Sequence, residues 1–298
     1  MKHLYIIGNG FDLFTGLKTS YSHFKEWLYL NYIFVFENMK AAYDMEGEWW
    51  YNFEENLGKL DIYGYIHKFT PPEKPIEEVI ENIKQRKEKK EDNLLTNFYV
   101  ETPFADRLRG LLNILQYCFE NWVKDSQRCI TNPKYINLEK DNSFFINFNY
   151  TDVLECLYHI PEERVLHIHG RASKHDRLIF GHNSHPFVDM FDGPDADQTC
   201  FELCRYEKNP YEHIFKQNNL IDIVKYIETI HIYGFSLSEV DENYLDWIFL
   251  NTSSDCLWEF SWFNEKDKER IDKFILDHWK IKERARLIRL EELEIKKE

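Results

Sequence analysis

Apolar residues in this chain fall in short runs that stop at small polar clusters. Residues 3–7, 144–148, 165–168, 178–180 and 230–233 are apolar, β-branched or aromatic, and short enough for buried strands; residues 255–263 read as a sixth. Between them the apolar spacing becomes helical. Residues 152–159 place Val153, Leu154 and Leu157 on one face, and 220–226 and 239–250 also read as helical. Strands alternating with helices predict an α/β fold with a mainly parallel sheet.

Residues 8–143 break this alternation. They read as helical over 21–45, 49–60 and 106–122, which predicts a large helical insertion after the first strand–helix unit. Residues 71–93 are highly charged with acids and bases interleaved, the signature of a solvated helix or loop. Residues 265–298 also read as helical, with Ile271, Phe274, Ile275 and His278 at helix spacing. The tail carries Leu287, Ile288, Leu290 and Leu293, which either dock against the domain or meet a partner helix. The expected division is 1–30 with 141–263 as a nucleotide-binding domain, 31–140 as a cap, and 264–298 as a C-terminal helical segment.

Charge narrows the partners. The 298 residues carry 52 acids against 37 bases, a formal charge of −15. Such a surface repels nucleic acid and anionic membrane, but allows a local basic pocket. No apolar run approaches a membrane span, and the N-terminus reaches Gly8 without the apolar core of a signal peptide. Six cysteines show no CxxC pair and read as free thiols of a reducing compartment. The cytoplasm is the expected location.

Candidate chemistry sits at the strand ends. Gly8-Asn9-Gly10-Phe11-Asp12 follows the first strand as a tight glycine turn, with a polar helix start at Thr19-Ser20. Such a turn lets backbone N–H groups approach a phosphate. Leu13 stands where the dinucleotide fingerprint needs its third glycine, and no P-loop GK[ST] follows. Asp12 is either a ligand-binding carboxylate or a helix cap. In Asn147-Phe148-Asn149-Tyr150-Thr151-Asp152, Asn147 and Asn149 share a face; Asp152 suits an N-cap or an acid–base role. His169, before Gly170, suits a general base, since imidazole titrates near neutrality. In Gly234-Phe235-Ser236-Leu237-Ser238-Glu239-Val240-Asp241, Ser238 and Asp241 have capping-box spacing, and Ser236 is a candidate ligand contact. Six histidines lie between 159 and 185, but their spacings match no strict ligand pattern, so no metal ligand is assigned.

These residues carry a resemblance. Gly8-Asn9-Gly10-Phe11-Asp12, Gly16-Leu17-x-Thr19-Ser20-Tyr21, Phe53-Glu54-x-x-Leu57 and Asn149-Tyr150-Thr151 resemble the bacteriophage abortive infection H (AbiH) proteins. So do His169-Gly170, Gly181-His182 and Gly234-Phe235-Ser236-Leu237-x-x-x-Asp241. The resemblance implies defence against bacteriophage by self-sacrifice. The order of motifs is also distantly similar to the sirtuin-like fold and its NAD-consuming defence branch. That likeness implies a Rossmann-like (sirtuin-like) sheet and NAD as substrate or ligand. Gly8 and Gly10 would approach the pyrophosphate and Ser236 would line the nucleotide pocket; Asn9 and Asp12 of the same turn are counted as cofactor-binding candidates. Asn149 would bind ribose or orient water, with His169 as base and Asp152 beside them. The chain departs from the sirtuin pattern at Asn9 and Asp12, in Asn-Tyr-Thr-Asp, and in having no four-cysteine zinc module, which speaks against protein deacetylation.

The expected function is therefore anti-phage abortive infection through binding and hydrolysis of NAD or a related nucleotide at the N-glycosidic bond. Glu54 or Asp12 would stabilise developing positive charge. The alternatives are a metal-dependent phosphoester hydrolase using the histidines and Asp12, and a non-catalytic nucleotide sensor. A nucleotide ligand and a homo-oligomer are the expected partners, with nucleic acid and membrane set aside.

Overall fold

The computed structural model describes residues 1–69, 104–174, 176–183, 186, 194–208 and 220–295. The charged segment 71–93, His175 and His185 lie outside the described residues. Six parallel strands form one sheet: β1 (His3–Ile7), β2 (Ser143–Asn147), β3 (Val165–His167), β4 (Thr229–Tyr233), β5 (Leu257–Ser261) and β6 (Ala285–Ile288). Their spatial order is β3-β2-β1-β4-β5-β6. The helices are α1 (Asn9–Thr15), α2 (Tyr21–Asn31), α3 (Ile33–Ala42), α4 (Phe53–Leu57), α5 (Ile62–Phe69), α6 (Phe104–Arg128), α7 (Val153–Cys156), α8 (Pro194–Cys204), α9 (Leu220–Val224), α10 (Glu239–Asn251) and α11 (Glu265–Asp277).

The strands are apolar on both sides because both faces are covered. Along β1, Leu4 and Ile6 join Ile230, Ile232, Trp258 and Phe260 under α9, α10 and α11. Tyr5 and Ile7 point the other way, into a layer built from Phe11, Phe145, Val153, Leu154, Tyr158 and Leu290. A third core lies outside the sheet. Phe24, Met39, Phe53, Leu108, Leu112, Leu115, Phe119 and Trp122 join α2, α3, α4 and α6 into a cap. Leu178, Phe180, Leu203 and Tyr206 belong to the same core, so the β1–β2 and β3–β4 connections build the cap together.

Several expectations change. Residues 178–180 are not a strand. The chain turns at Gly170 (φ 84°), Ile179 N donates to the His169 carbonyl (2.8 Å), and the apolar side chains enter the cap core instead of the sheet. The C-terminal segment is not all helix: after α11 the chain adds β6 parallel to β5, and Leu287 and Ile288 pair with Phe260 and Ser261. The stretch 21–45 is two helices parted at Tyr32, and 152–159 shrinks to the single turn of α7. The glycine turn is itself helical, since α1 starts at Asn9 with Gly8 as N-cap.

The glycines at the strand ends answer to one another. Gly8 N donates to the Tyr233 carbonyl (3.0 Å) and Gly10 N to the Gly234 carbonyl (2.7 Å). Gly234 has φ +64°, and a Cβ there would lie 1.9 Å from Phe11 N. Its own N–H donates to Ser261 Oγ (2.8 Å), which ties in β5. Gly16 has φ +109° with nothing within 4 Å of a Cβ. Gly234→Ala should therefore cost roughly 3 kcal/mol or more, from strain plus overlap with backbone. Gly16→Ala should cost about 1 kcal/mol, from its left-handed conformation alone. Urea unfolding of both variants checks this, and equal losses would refute the steric interlock.

Candidate functional site

A cleft of about 770 Å³ opens at the carboxyl ends of β1, β2, β4 and β5. It lies where the strand order reverses between β1 and β4, the place where open parallel sheets bind ligands. The cap closes its other side with Tyr21, Phe53, Glu54, Phe119 and Trp122. From the expected set the cleft gathers Gly8, Asn9, Gly10, Asp12, Asn149, His169 and Ser236.

Asn149 stands two residues beyond β2. Its Nδ2 donates to the Gly8 carbonyl (3.0 Å) and to Asp12 Oδ1 (2.9 Å). The Gly8 carbonyl can only accept, so it fixes which end of the amide faces it. No described residue donates to Asn149 Oδ1, which leaves an acceptor for the cleft. Asp12 is not a helix cap. It is buried inside α1, and Thr151 Oγ1 donates to its other oxygen (2.6 Å). Burial pushes its carboxyl up to about 7, against the pull of the Thr151 and Asn149 hydrogen bonds. Asn9 Nδ2 donates to the Thr19 carbonyl (2.9 Å), bracing the turn against the start of α2.

His169 is buried, with Nε2 3.6 Å from Asp241 Oδ1. Phe148 and Tyr244 meet its ring edge-on, and Tyr150 stacks near it. The same Asp241 oxygen lies 3.3 Å from Lys208 Nζ, which also reaches Glu54 Oε2 at 2.9 Å. The Lys208 side chain is 1% exposed. Burial alone would pull its ammonium down, but Asp241 and Glu54 outweigh that and hold it above its ordinary range. Tyr150 OH lies within donating distance of Glu54 Oε1 (2.9 Å) and the Ile179 carbonyl (3.1 Å). Burial first, and Glu54 second, push the Tyr150 phenol far up, so it remains a donor.

The sequence missed most of this bridge. Lys208 sits in no motif, and nothing along the chain points to it. Asp241 has capping-box spacing from Ser238, yet the Ser238 side chain makes no cap bond and Asp241 turns to Lys208 and His169. The Phe235-Ser236-Leu237-x-x-x-Asp241 motif, part of the family resemblance, was the available signal. Asp152 is corrected in the other direction. It pairs with Arg171, accepts from Ser173 Oγ (2.9 Å), and lies outside the cleft lining. The histidines scatter as well: His167 Nε2 meets Glu155 Oε1 (2.7 Å) and His182 Nε2 meets the Leu203 carbonyl (3.1 Å). Among the described residues no group of three or more His, Cys, Asp or Glu is placed to hold a metal ion. No helix among them is long and apolar enough to cross a membrane.

Two outcomes follow. Lys208→Met leaves Glu54 and Asp241 facing each other without a cation and should cost about 3–5 kcal/mol. Adding Glu54→Gln and Asp241→Asn should recover most of that loss in denaturant titration; no recovery would exclude an electrostatic origin. Asp12 titrates above its ordinary value of 3.8, at about 7, so the folded state binds its proton more tightly than the unfolded one. Its contribution is full below about pH 4 and is lost as pH rises through 7, on the order of 4 kcal/mol. Asp12→Asn should flatten stability between those limits, and an unchanged slope would show that Asp12 does not titrate there.

Comparison with known proteins agrees with this arrangement of motifs. The family model described as Bacteriophage abortive infection AbiH matches residues 4–262, from β1 to just past β5. Comparison with curated proteins and with solved structures returned no match. The matched span holds the first five strands, the cap and the residues at the floor of the cleft. The chain therefore belongs to the AbiH family and has that family's role in bacteriophage abortive infection.

Proposed function

We propose that this cleft binds NAD or a related nucleotide and hydrolyses its N-glycosidic bond. One observation carries the reading: His169, Asn149, Glu54 and Asp241 converge in a deep cleft where the strand order reverses. N-glycosidic hydrolysis passes through an oxocarbenium-like state. Such a state needs negative charge beside the sugar, a placed water and a base. Glu54 and Asp241 supply the charge, only partly neutralised by Lys208. Asn149 Oδ1 accepts a hydrogen bond from the water or from a ribose hydroxyl. The water oxygen attacks C1′ while the C1′–N bond breaks toward the leaving base. His169 takes the water proton, and Asp241 steadies the imidazolium that forms. With NAD the products are nicotinamide and ADP-ribose. Draining a shared coenzyme would halt the infected cell, which fits abortive infection.

Purified protein incubated with NAD, with products resolved by chromatography, tests this reading. His169→Ala should slow NAD loss about 10²-fold or more when assayed well below its own unfolding midpoint. Equal rates in both proteins would remove His169 as the base. Binding of NAD with no product in the wild type would favour a sensor over an enzyme.

A further inference from the structure

A nucleotide needs a partner for its phosphates, and three amides of the first turn are already engaged. The N–H groups of Gly8, Gly10 and Phe11 already donate to Tyr233, Gly234 and Gly8 carbonyls at 2.7–3.0 Å. The floor is no better suited. Asn149 Oδ1, Glu54 and Asp241 all present acceptors there, which suit hydroxyl donors and repel phosphate oxygens. Among the described residues the cations lining the cleft are Lys134, Lys208 and Arg270. Lys208 is held between Glu54 and Asp241, and Lys134 is exposed, 3.8 Å from Glu294. Arg270, on the second turn of α11, is different. It is partly buried, Nη1 donates to the Ser236 carbonyl (3.2 Å), and no described carboxylate lies within ion-pair distance. In a chain with 52 acids, an arginine without a carboxylate beside a cleft is an open anion partner.

Resting on the nucleotide reading above, we infer that Arg270 is the phosphate-binding residue of this cleft. The ligand enters in one direction, with a hydroxyl-bearing sugar on the acceptor floor and its phosphates at the outer wall between Ser236 and Arg270. Exposure runs the same way, from buried His169 at the floor to exposed Ser236. The first-turn glycines then act as spacers that let β1 and β4 close on each other, and they do not hold phosphate.

The test compares NAD with nicotinamide riboside, which keeps the base and ribose but carries no phosphate. Stopped-flow tryptophan fluorescence reads binding before turnover, because Trp122 and Trp262 line the cleft. Arg270→Gln should weaken NAD about tenfold or more and leave nicotinamide riboside within about twofold. Arg270→Lys should regain part of the NAD affinity, and Lys134→Gln should change it by less than about twofold. NAD binding that is unchanged in Arg270→Gln, or an equal loss for both ligands, overturns the assignment while leaving the nucleotide reading standing. Failure of the wild type to bind either ligand overturns both. Matching unfolding midpoints across the variants keep a folding defect from imitating the expected result.

Discussion

At the centre of the sheet the backbone of α1's first turn lies directly on the loop after β4. Gly10 donates to Gly234, and no side chain fits at Gly234, where a Cβ would fall 1.9 Å from Phe11 N. The floor of the cleft takes its position from this contact. It brings the ends of β1 and β4 together, and through the Gly234 N–H to Ser261 it adds β5. Asn149 then hangs from the Gly8 carbonyl, so the orientation of an amide on β2's exit depends on a glycine on β1's exit. Close backbone contact leaves little slack, because interiors are packed as tightly as molecular crystals.

A second constraint joins the cap to the sheet. Lys208 follows α8, Glu54 lies on α4, and Asp241 lies on α10. Burying three charges is favourable only with good geometry, since each one loses its hydration. Here two carboxylates share one ammonium, Tyr150 supplies another donor to Glu54, and His169 sits near the same Asp241 oxygen. The floor keeps a net negative character under an aromatic cap. That combination attracts hydrogen-bond donors and positive charge.

Strand legibility followed period and length. β1, β2 and β4 stood out because both faces are buried and the runs are largely apolar; β3, a half-buried edge strand, stood out by its short apolar run alone. β6 did not: it lies at the sheet's edge, and Ala285-Arg286-Leu287-Ile288 is interrupted by an arginine and embedded in a charged, helix-like tail. Residues 178–180 failed in the opposite way, since three apolar residues satisfy a sheet and a helical cap equally well. At the site, polar residues in small clusters at strand exits were readable. Asp152 belonged to such a cluster and is nonetheless paired with Arg171 away from the cleft. Local spacing shows that a carboxylate is near a strand end but not which way it turns.

Legible along the chain were the parallel α/β architecture, the helical excursion after β1, the AbiH membership and seven residues that line the cleft. These rest on local patterns: hydrophobic period, glycine after an apolar run, and polar clusters at fixed spacing. Folding in space settles that the Gly8 and Gly10 amides are taken by Tyr233 and Gly234, that Lys208 bridges Glu54 and Asp241, and that Arg270 lines the cleft with no ion-paired carboxylate among the described residues. Those facts join residues more than thirty, and up to about two hundred and thirty, positions apart. Charge pairing and close backbone approach depend on distance in space, and a linear pattern carries no record of it.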